Sequence, residues 1–450
     1  MDIQSGFNPN PEVPVVEAAS EAIMHRNTFL TVEETGEIWY YDNGVYTGGG
    51  EIIIAKEAEQ MYGYDMTKAK LSEIVAHIMR RTYHKHQELD ADINIINLKN
   101  GLYNLESGLL EPHTPDHLSI NQKPITYNKG ANPRLFFKFL NEVLYPSDIR
   151  TVLELFAYTF YKDNPFEIIT TLLGSGANGK NVLLGILTAI HGDNNVSNVS
   201  MKAILEQRFA LAGLEGKNIN IDTELSSVTI KDTAILKKLT GRQMVRVEWK
   251  NDDPYETKLY AKLFFNANQI PQTYDDSDAY FRRNILINLP NQFQETLTDP
   301  SAKIADPYLL EKLTTEQELS GIFNVLMDIL RRVLKRGKIH VNDKSIQQRR
   351  EKYQLARDPI SEFQKAAFAE DSIENDWVTK DQLYQTYKRF CNSKKLMVLS
   401  KEKFGTAMKN QYQESRLGTG KRETIWKGIR LKPEYLLETP QTTLTSLSPS

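Results

Sequence analysis

Apolar and polar positions change rhythm along the chain, and each rhythm predicts an element. From about Thr28, short alternating runs (Phe29–Val32, Glu37–Tyr41, Gly44–Tyr46) are separated by Asp42-Asn43-Gly44 and closed by Gly48-Gly49-Gly50. Alternation around such turns predicts β-hairpins. Between Glu51 and about Tyr83, the spacing of Leu71, Ile74, Val75 and Ile78 predicts a helix with one buried face. Ile93–Leu105 reads as strands about an Asn100-Gly101 turn, and 135–161 as amphipathic helix. From Phe166 the two rhythms alternate: strand 168–173, a Gly-rich turn, helix 180–190, strand 219–222 and helix 231–240 closed by Gly241. Strands near 244–249 and 259–266 and a last one at 285–289 follow. This order predicts an α/β fold with a mainly parallel sheet and helices on its faces. After Leu289 the pattern is helical through about Arg336. Residues 359–436 carry an apolar set of their own, including Phe363, Leu383, Tyr387, Phe404 and Trp426. The Pro-, Glu- and Ala-rich start (1–27) reads as a loose lead-in and 437–450 as a disordered tail.

The Gly-rich turn carries the sharpest chemistry: Gly174-Ser175-Gly176-Ala177-Asn178-Gly179-Lys180-Asn181, between a predicted strand and a predicted helix. A nucleoside triphosphate needs converging backbone N–H groups, a helix N-terminus behind them and a Lys that reaches the β/γ oxygens. Gly174, four residues, Gly179 and Lys180 meet that spacing, which makes ATP with Mg²⁺ the expected pair. Asn181 stands where Ser or Thr usually offers a hydroxyl to Mg²⁺; its amide oxygen is a competent hard ligand. The strand Ile219–Asp222 continues to Glu224, and alternation places Asp222 and Glu224 on one face. One could hold Mg²⁺, the other polarise water. Asn268 ends an apolar strand, where it could orient water or contact a phosphate; a plain turn Asn is the bland reading. Arg282 and Arg283 precede the last strand, as a surface ion pair or as arginine fingers. His84 and His86 have metal-like spacing but no supporting cluster, so solvated side chains are expected.

Composition narrows the class. Of 450 residues 40% are apolar and 25% charged, which excludes a disordered tail protein and a collagen-like rod. A single Cys391 excludes an internal disulfide and points to a reducing cytosol. No apolar run approaches the ~18 residues of a membrane helix, and the start does not resemble a signal peptide. The expectation is a cytoplasmic protein with no membrane partner. The net charge of -3 hides an asymmetry: Thr379–Lys432 holds 14 basic and 4 acidic residues, and Asp328–Lys352 nine and three. Such blocks are either solvated faces or footprints of nucleic acid.

Taken in order, these motifs resemble the superfamily 3 DNA helicases of phage and plasmid replication, related to the poxvirus primase-helicase, from about Asn97 to Leu431. Asn97–Gly108 resembles the end of the helicase-associated N-terminal domain, and Gly174–Lys180 the first motif. Lys217–Glu224 resembles the second, with Glu224 as main acid and Asp222 as accessory. Leu239–Lys250 with Tyr260-Ala-Lys262 resembles the third, a hairpin entering a ring's channel, although Gln243 stands where Asp is usual. Asn268-Gln-Ile-Pro resembles the sensor, and Phe281-Arg-Arg283 the arginine-finger stretch. Trp377-Val, Leu383-Tyr, Phe404-Gly and Gly428-Ile-Arg-Leu resemble a C-terminal winged helix.

The resemblance implies an AAA+ P-loop core at 131–345 with a helical collar, an α+β N-terminal domain at 28–130 and a winged helix at 346–436. It implies a homo-hexamer that moves on single-stranded DNA in the 3′→5′ direction. DNA contacts would come from Arg246, Trp249 and Lys250, and duplex or fork contacts from the C-terminal domain. Arg283, or secondarily Arg282, would act as a finger from the neighbouring subunit. Asn181, Asp222 and Glu224 are the Mg²⁺ candidates. No primase domain precedes the unit, so a separate primase and polymerase are expected partners, or the chain is a fragment. The rivals are a small-molecule kinase, another nucleoside triphosphatase, and a DNA-binding initiator that does not unwind.

Overall fold

The computed structural model describes residues 15–174, 176–225, 229–250, 253–294, 303–343, 345–417 and 423–436. The chain opens with helix α1 (Val15–Arg26), then β1 (Phe29–Val32), β2 (Ile38–Asp42), β3 (Val45–Gly48), α2 (Gly50–Tyr62), α3 (Lys68–Arg81) and β4 (Tyr83–His84). The strands form one sheet in the order β3-β2-β1-β4. Asn43 and Gly44 turn the β2–β3 hairpin with φ of 46° and 89°, the geometry that Asn-Gly favours. Two expectations change here. The lead-in is helical from Val15, because Ala19 and Ile23 bury an i, i+4 stripe against the α2–α3 layer. The helix expected over 51–83 is two helices. Gly63 stops the first at φ 50°, and Thr67 caps the second by accepting from Lys70 N at 3.3 Å.

A second small sheet, β5 (Ile95–Leu98), β6 (Gly101–Asn104), β7 (Leu110–Glu111) and β8 (Gln122–Lys123), runs β7-β6-β5-β8. It leads into α4 (Arg134–Val143) and α5 (Pro146–Tyr158). Pro146 opens α5 and divides the single helix read from the sequence.

The central layer is built from β9 (Ile169–Leu173), α6 (Lys180–His191), β10 (Val196–Ser197), α7 (Met201–Glu206), β11 (Ile219–Asp222) and α8 (Ala234–Thr240). It continues with β12 (Val245–Val247), β13 (Tyr255–Thr257), β14 (Lys262–Ala267), α9 (Asp278–Phe281) and β15 (Asn284–Asn288). Five strands, all parallel, lie in the order β10-β11-β14-β9-β15. All are buried along their length, because helices cover both faces of such a sheet. The antiparallel pair β12–β13 stands apart.

A ribbon of β16 (Phe293–Gln294) and β17 (Lys303–Ile304) precedes α10 (Leu309–Leu313) and the long α11 (Glu316–Arg336), which packs on α5. A Cβ at Gly321 of α11 would come 2.6 Å from Pro133 N, so the backbones meet there. The remainder is α12 (Ile346–Arg357), α13 (Pro359–Ala367), β18 (Trp377–Thr379), α14 (Lys380–Ser393), α15 (Lys401–Lys409), β19 (Glu414–Leu417) and β20 (Glu423–Lys427). Three helices and an antiparallel β18-β20-β19 sheet enclose a core of their own, with Tyr387 stacked on Phe404 at 4.5 Å. This unit is fastened to the carboxyl edge of the central sheet. Asn288 donates to the Lys395 carbonyl, and Lys395 Nζ reaches Ser147 Oγ at 2.5 Å. The tail over 437–450 lies outside the described residues.

Candidate functional site

Three neighbouring parallel strands, β9, β14 and β11, end on the same side of the sheet, and the chain after each end supplies a different group. After β9 the Gly-rich turn leads into α6. Ala177 and Gly179 take φ of 47° and 87°, and Gly179 is the residue before the helix. A side chain at Gly174 would collide with the Asn178 amide, and one at Gly179 would come 2.8 Å from Val143 Cγ1. The turn is therefore closed to anything but glycine at both ends. Ser175 lies outside the described residues.

Lys180 is 4% exposed. Its amine donates to the Gly174 carbonyl and to Asn268 Oδ1 at 3.1 Å, and burial pushes its pKa down to about 8. Among the described residues no carboxylate is bonded to this buried cation, an environment suited to an incoming anion. Asn178 is buried, and its Nδ2 has no hydrogen-bond partner among the described residues. An orphaned donor and a desolvated amine beside Gly174, Gly176 and Gly179 fit a polyphosphate.

After β11, Asp222 and Glu224 divide. Asp222 is buried; its Oδ2 accepts from Met201 N at 2.8 Å and its Oδ1 from Glu224 N at 3.2 Å. It shapes the turn. Glu224 is exposed and faces the cavity beside the Gly-rich turn, with Thr223. From β14, Asn266 donates to Asn181 Oδ1 at 3.2 Å, and Asn268 meets Lys180. Because β14 lies between β9 and β11, its end sets Asn268 between the lysine and the acids. No group of three or more potential metal-ligating side chains occurs among the described residues. That suits a Mg²⁺ held chiefly by phosphates, with Asn181 and Glu224 within the same cavity.

The cavity measures about 730 Å³. Its far wall comes from residues the sequence did not flag: Phe139 and Val143 of α4, Phe293, and Leu309 of α10. Phe293 N donates to the Ala177 carbonyl at 2.7 Å, which fixes that wall to the turn. The i, i+4 spacing of Phe139 and Val143 was readable only as a buried helical face. Nothing local to it says what it faces.

The arginines depart from expectation. β15 runs parallel to β9 with Asn284 opposite Ile169, so Arg282 and Arg283 sit at the amino edge of the sheet, opposite the cavity. Arg283 is 6% exposed and engaged by the Ala279 carbonyl (2.6 Å), Thr240 Oγ1 (3.2 Å) and Glu167 (2.9 Å). A guanidinium so enclosed is committed to partners of its own chain. Arg282, paired with Glu167, is the exposed one.

The β12–β13 hairpin also differs. The strand stops at Val247, so the alternation read through Lys250 fails. Arg246 is exposed opposite Glu256, Glu248 pairs with Arg208 at 2.6 Å, and Trp249 Nε1 donates to Glu215 Oε2 at 3.3 Å. Lys250 is exposed. Lys262, read with this motif, is instead buried at the start of β14. It donates to the carbonyls of Tyr161, Asp163 and Tyr260 over the Tyr158 ring. His84 pairs with Glu88 at 2.9 Å, and His86 lies 3.4 Å from Glu215.

Comparison with known proteins agrees with the order of these parts. Residues 20–145 match the family described as "D5 N terminal like", and 172–283 match a "Family of unknown function (DUF5906)". The chain is 26% identical to "Putative helicase L207/L206" of Acanthamoeba polyphaga mimivirus, over 62% of this chain and 31% of that protein. It thus spans about a third of that relative's length. Two apo structures of the NrS-1 C-terminal region align over 92% and 93% of this chain and 98% and 100% of theirs. Both have a TM-score of 0.46, at 11% and 12% identity. Among the described residues no helix is long and apolar enough to cross a membrane. The chain is thus similar in its N-terminal unit to the D5 N-terminal-like family and, over 62% of its length, to a viral protein named as a helicase.

Proposed function

We propose that the chain is the motor of a viral or plasmid replicative DNA helicase, an AAA+ ATPase of the superfamily 3 kind that works as a homo-hexameric ring on single-stranded DNA. The observation that carries this reading is the meeting of Lys180, Asn268, Asn181 and Glu224 in one cavity at the ends of adjacent parallel strands. Lys180 would neutralise the β/γ-phosphates, and its desolvation makes that charge count for more than it would in water. Asn268 would report the γ-phosphate through its bond to Lys180. Glu224 would orient the attacking water, with Asp222 holding its turn. Asn181 and Glu224, which line the cavity, are the side chains that would hold a Mg²⁺ arriving with the nucleotide, whose charge would offset that of the phosphates. Arg282 replaces Arg283 as the residue able to act from a neighbouring subunit.

The exposed hairpin with Arg246, Trp249 and Lys250 would contact the strand in the channel, by phosphate charge and base stacking. The basic C-terminal unit, read as a winged helix, would hold duplex or fork. Polarity of 3′→5′ and a separate primase belong to the same reading. A second reading, a DNA-binding initiator or triphosphatase that does not unwind, is favoured by the engagement of Asn181 Oδ1 with Asn266. The test is Mg²⁺-dependent ATPase with and without single-stranded DNA, native mass, and strand displacement on a forked substrate. DNA-stimulated turnover lost in Lys180→Ala, together with strand displacement, is expected. Turnover without displacement would select the second reading, and no turnover would remove both catalytic ones.

A further inference from the structure

Glu215 lies between the short helical turn Ala210–Leu214 and β11, and its side chain is 7% exposed. Three aromatic side chains from separate parts of the chain converge on it. Trp249 Nε1, at the tip side of the β12–β13 hairpin, donates to Oε2 at 3.3 Å, and the Tyr255 hydroxyl of the returning strand donates to the same oxygen. His86, from the N-terminal unit, places Nε2 3.4 Å from Oε1, with its ring 6.4 Å from that of Tyr255. The His86 backbone N–H is itself held by Glu34 at 2.9 Å. A buried carboxylate that accepts two donors is a strong local anchor, because charge-assisted bonds exceed neutral ones. It is also a negative group against the turn end of a hairpin that exposes Arg246 and Lys250.

We propose that Glu215 is the positioning residue of this hairpin: without DNA it parks Trp249 and Tyr255 against the N-terminal unit, and a single strand must draw Trp249 away from it. The inference rests on the reading of the hairpin as a DNA contact. Since Glu215 precedes β11, whose other end carries Asp222 and the turn to Glu224, parking and release act on the root of the acidic strand.

The test uses the full chain, a fluorescein-labelled oligo(dT), and the Trp249 emission obtained by subtracting the spectrum of the matching Trp249→Phe variant. Glu215→Ala should shift Trp249 emission to the red and tighten oligo(dT) binding about 3–10-fold, as expected when a competing bond of ordinary net strength is removed. Glu215→Gln should return both most of the way to wild type, because both donors use one oxygen and an amide oxygen can accept them, short only of the charge assistance. His86→Ala, which cuts only the tie to the N-terminal unit, should fall between and serves if Glu215→Ala does not fold. Unchanged emission and affinity in the Ala variants, or weaker oligo(dT) binding, would overturn the parking role. A wild-type chain that fails to bind oligo(dT) would defeat the DNA reading itself, whereas binding indifferent to Glu215 would defeat only this inference.

Discussion

Nucleotide affinity should fall as pH rises above about 8, and Lys180 is the reason. Burial holds its pKa near 8 against an ordinary 10.5; a bound polyphosphate would restore the protonated form. Binding above pH 8 must then take up a proton. With a free-state pKa of about 8, the amine is about 90% protonated at pH 7 and about 10% at pH 9, so affinity should drop about tenfold, or ~1.4 kcal/mol. The terminal phosphate has already lost its last proton in this range, its second pKa being about 6. Calorimetry at pH 8.5 in two buffers of different ionisation enthalpy should return uptake of about 0.8 proton per nucleotide. The nucleotide-free chain should show the opposite slope. A depressed amine means the unfolded state holds more protons between about 8 and 10.5, so this group's penalty on stability is relieved as pH rises through that window. Lys123 and Lys262, also lowered by burial, act in the same direction. Affinity that stays flat from pH 7 to pH 9 with no proton uptake would refute the claim that a desolvated Lys180 meets the phosphates.

Glu224→Gln should leave the urea midpoint within the range of ~0.5 kcal/mol while suppressing ATP turnover strongly, because the side chain is exposed and faces the cavity. Asp222→Asn should instead cost ~1–2 kcal/mol, since one of its oxygens must then stop accepting a backbone N–H; equal stability of the two variants would contradict this division. Arg283→Ala should destabilise by about 2–4 kcal/mol through its enclosed guanidinium. Arg282→Ala should leave stability near wild type, and mixed with Lys180→Ala chains it should regain ATPase; mixed rings without rescue would argue against a finger at that position. Gly321→Ala should lower the urea midpoint by an equivalent of ~1–3 kcal/mol, because the new methyl meets backbone at Pro133 and Asn132.

What could be read from the sequence was the part encoded locally. The Gly-rich turn and Lys180 are contiguous, and the strand before them carries Ile169, Leu172 and Leu173 as a short, largely apolar run. Asn268 was placed because its strand ends in a turn. Alternation found both acids, but only the resemblance ranked Glu224 above Asp222; spacing could not, since the engagement of Asp222 depends on the Met201 N–H twenty-one residues upstream. The burial of Arg283 was not legible, because charge in a sequence carries no mark of burial, and its partners come from α8, α9 and Glu167. The strand expected near 244–249 stops pairing at Val247, and the next two side chains answer to Arg208 and Glu215. The wall of Phe139, Val143, Phe293 and Leu309 is assembled across about 170 residues by the docking of α10 on α6 and on α4. No window of sequence contains it.

The fastening of Asn288 to Lys395 has a mechanical consequence. Asn288 is the last residue of β15 and pairs with Leu173, whose next neighbour is Gly174 of the phosphate turn. The Leu289 N–H closes the same rung on the Leu173 carbonyl at 2.9 Å. A displacement of the turn therefore strains a ladder only one strand wide before it reaches the backbone of the C-terminal unit. Lys395 there holds a left-handed φ of 53° and its amine is already committed to Ser147. There is little slack on that route. The phosphate turn and the C-terminal unit are thus joined by a short run of direct bonds through the sheet's edge, and a shift of the turn should be felt at Lys395, just past the end of α14, without passing through a linker.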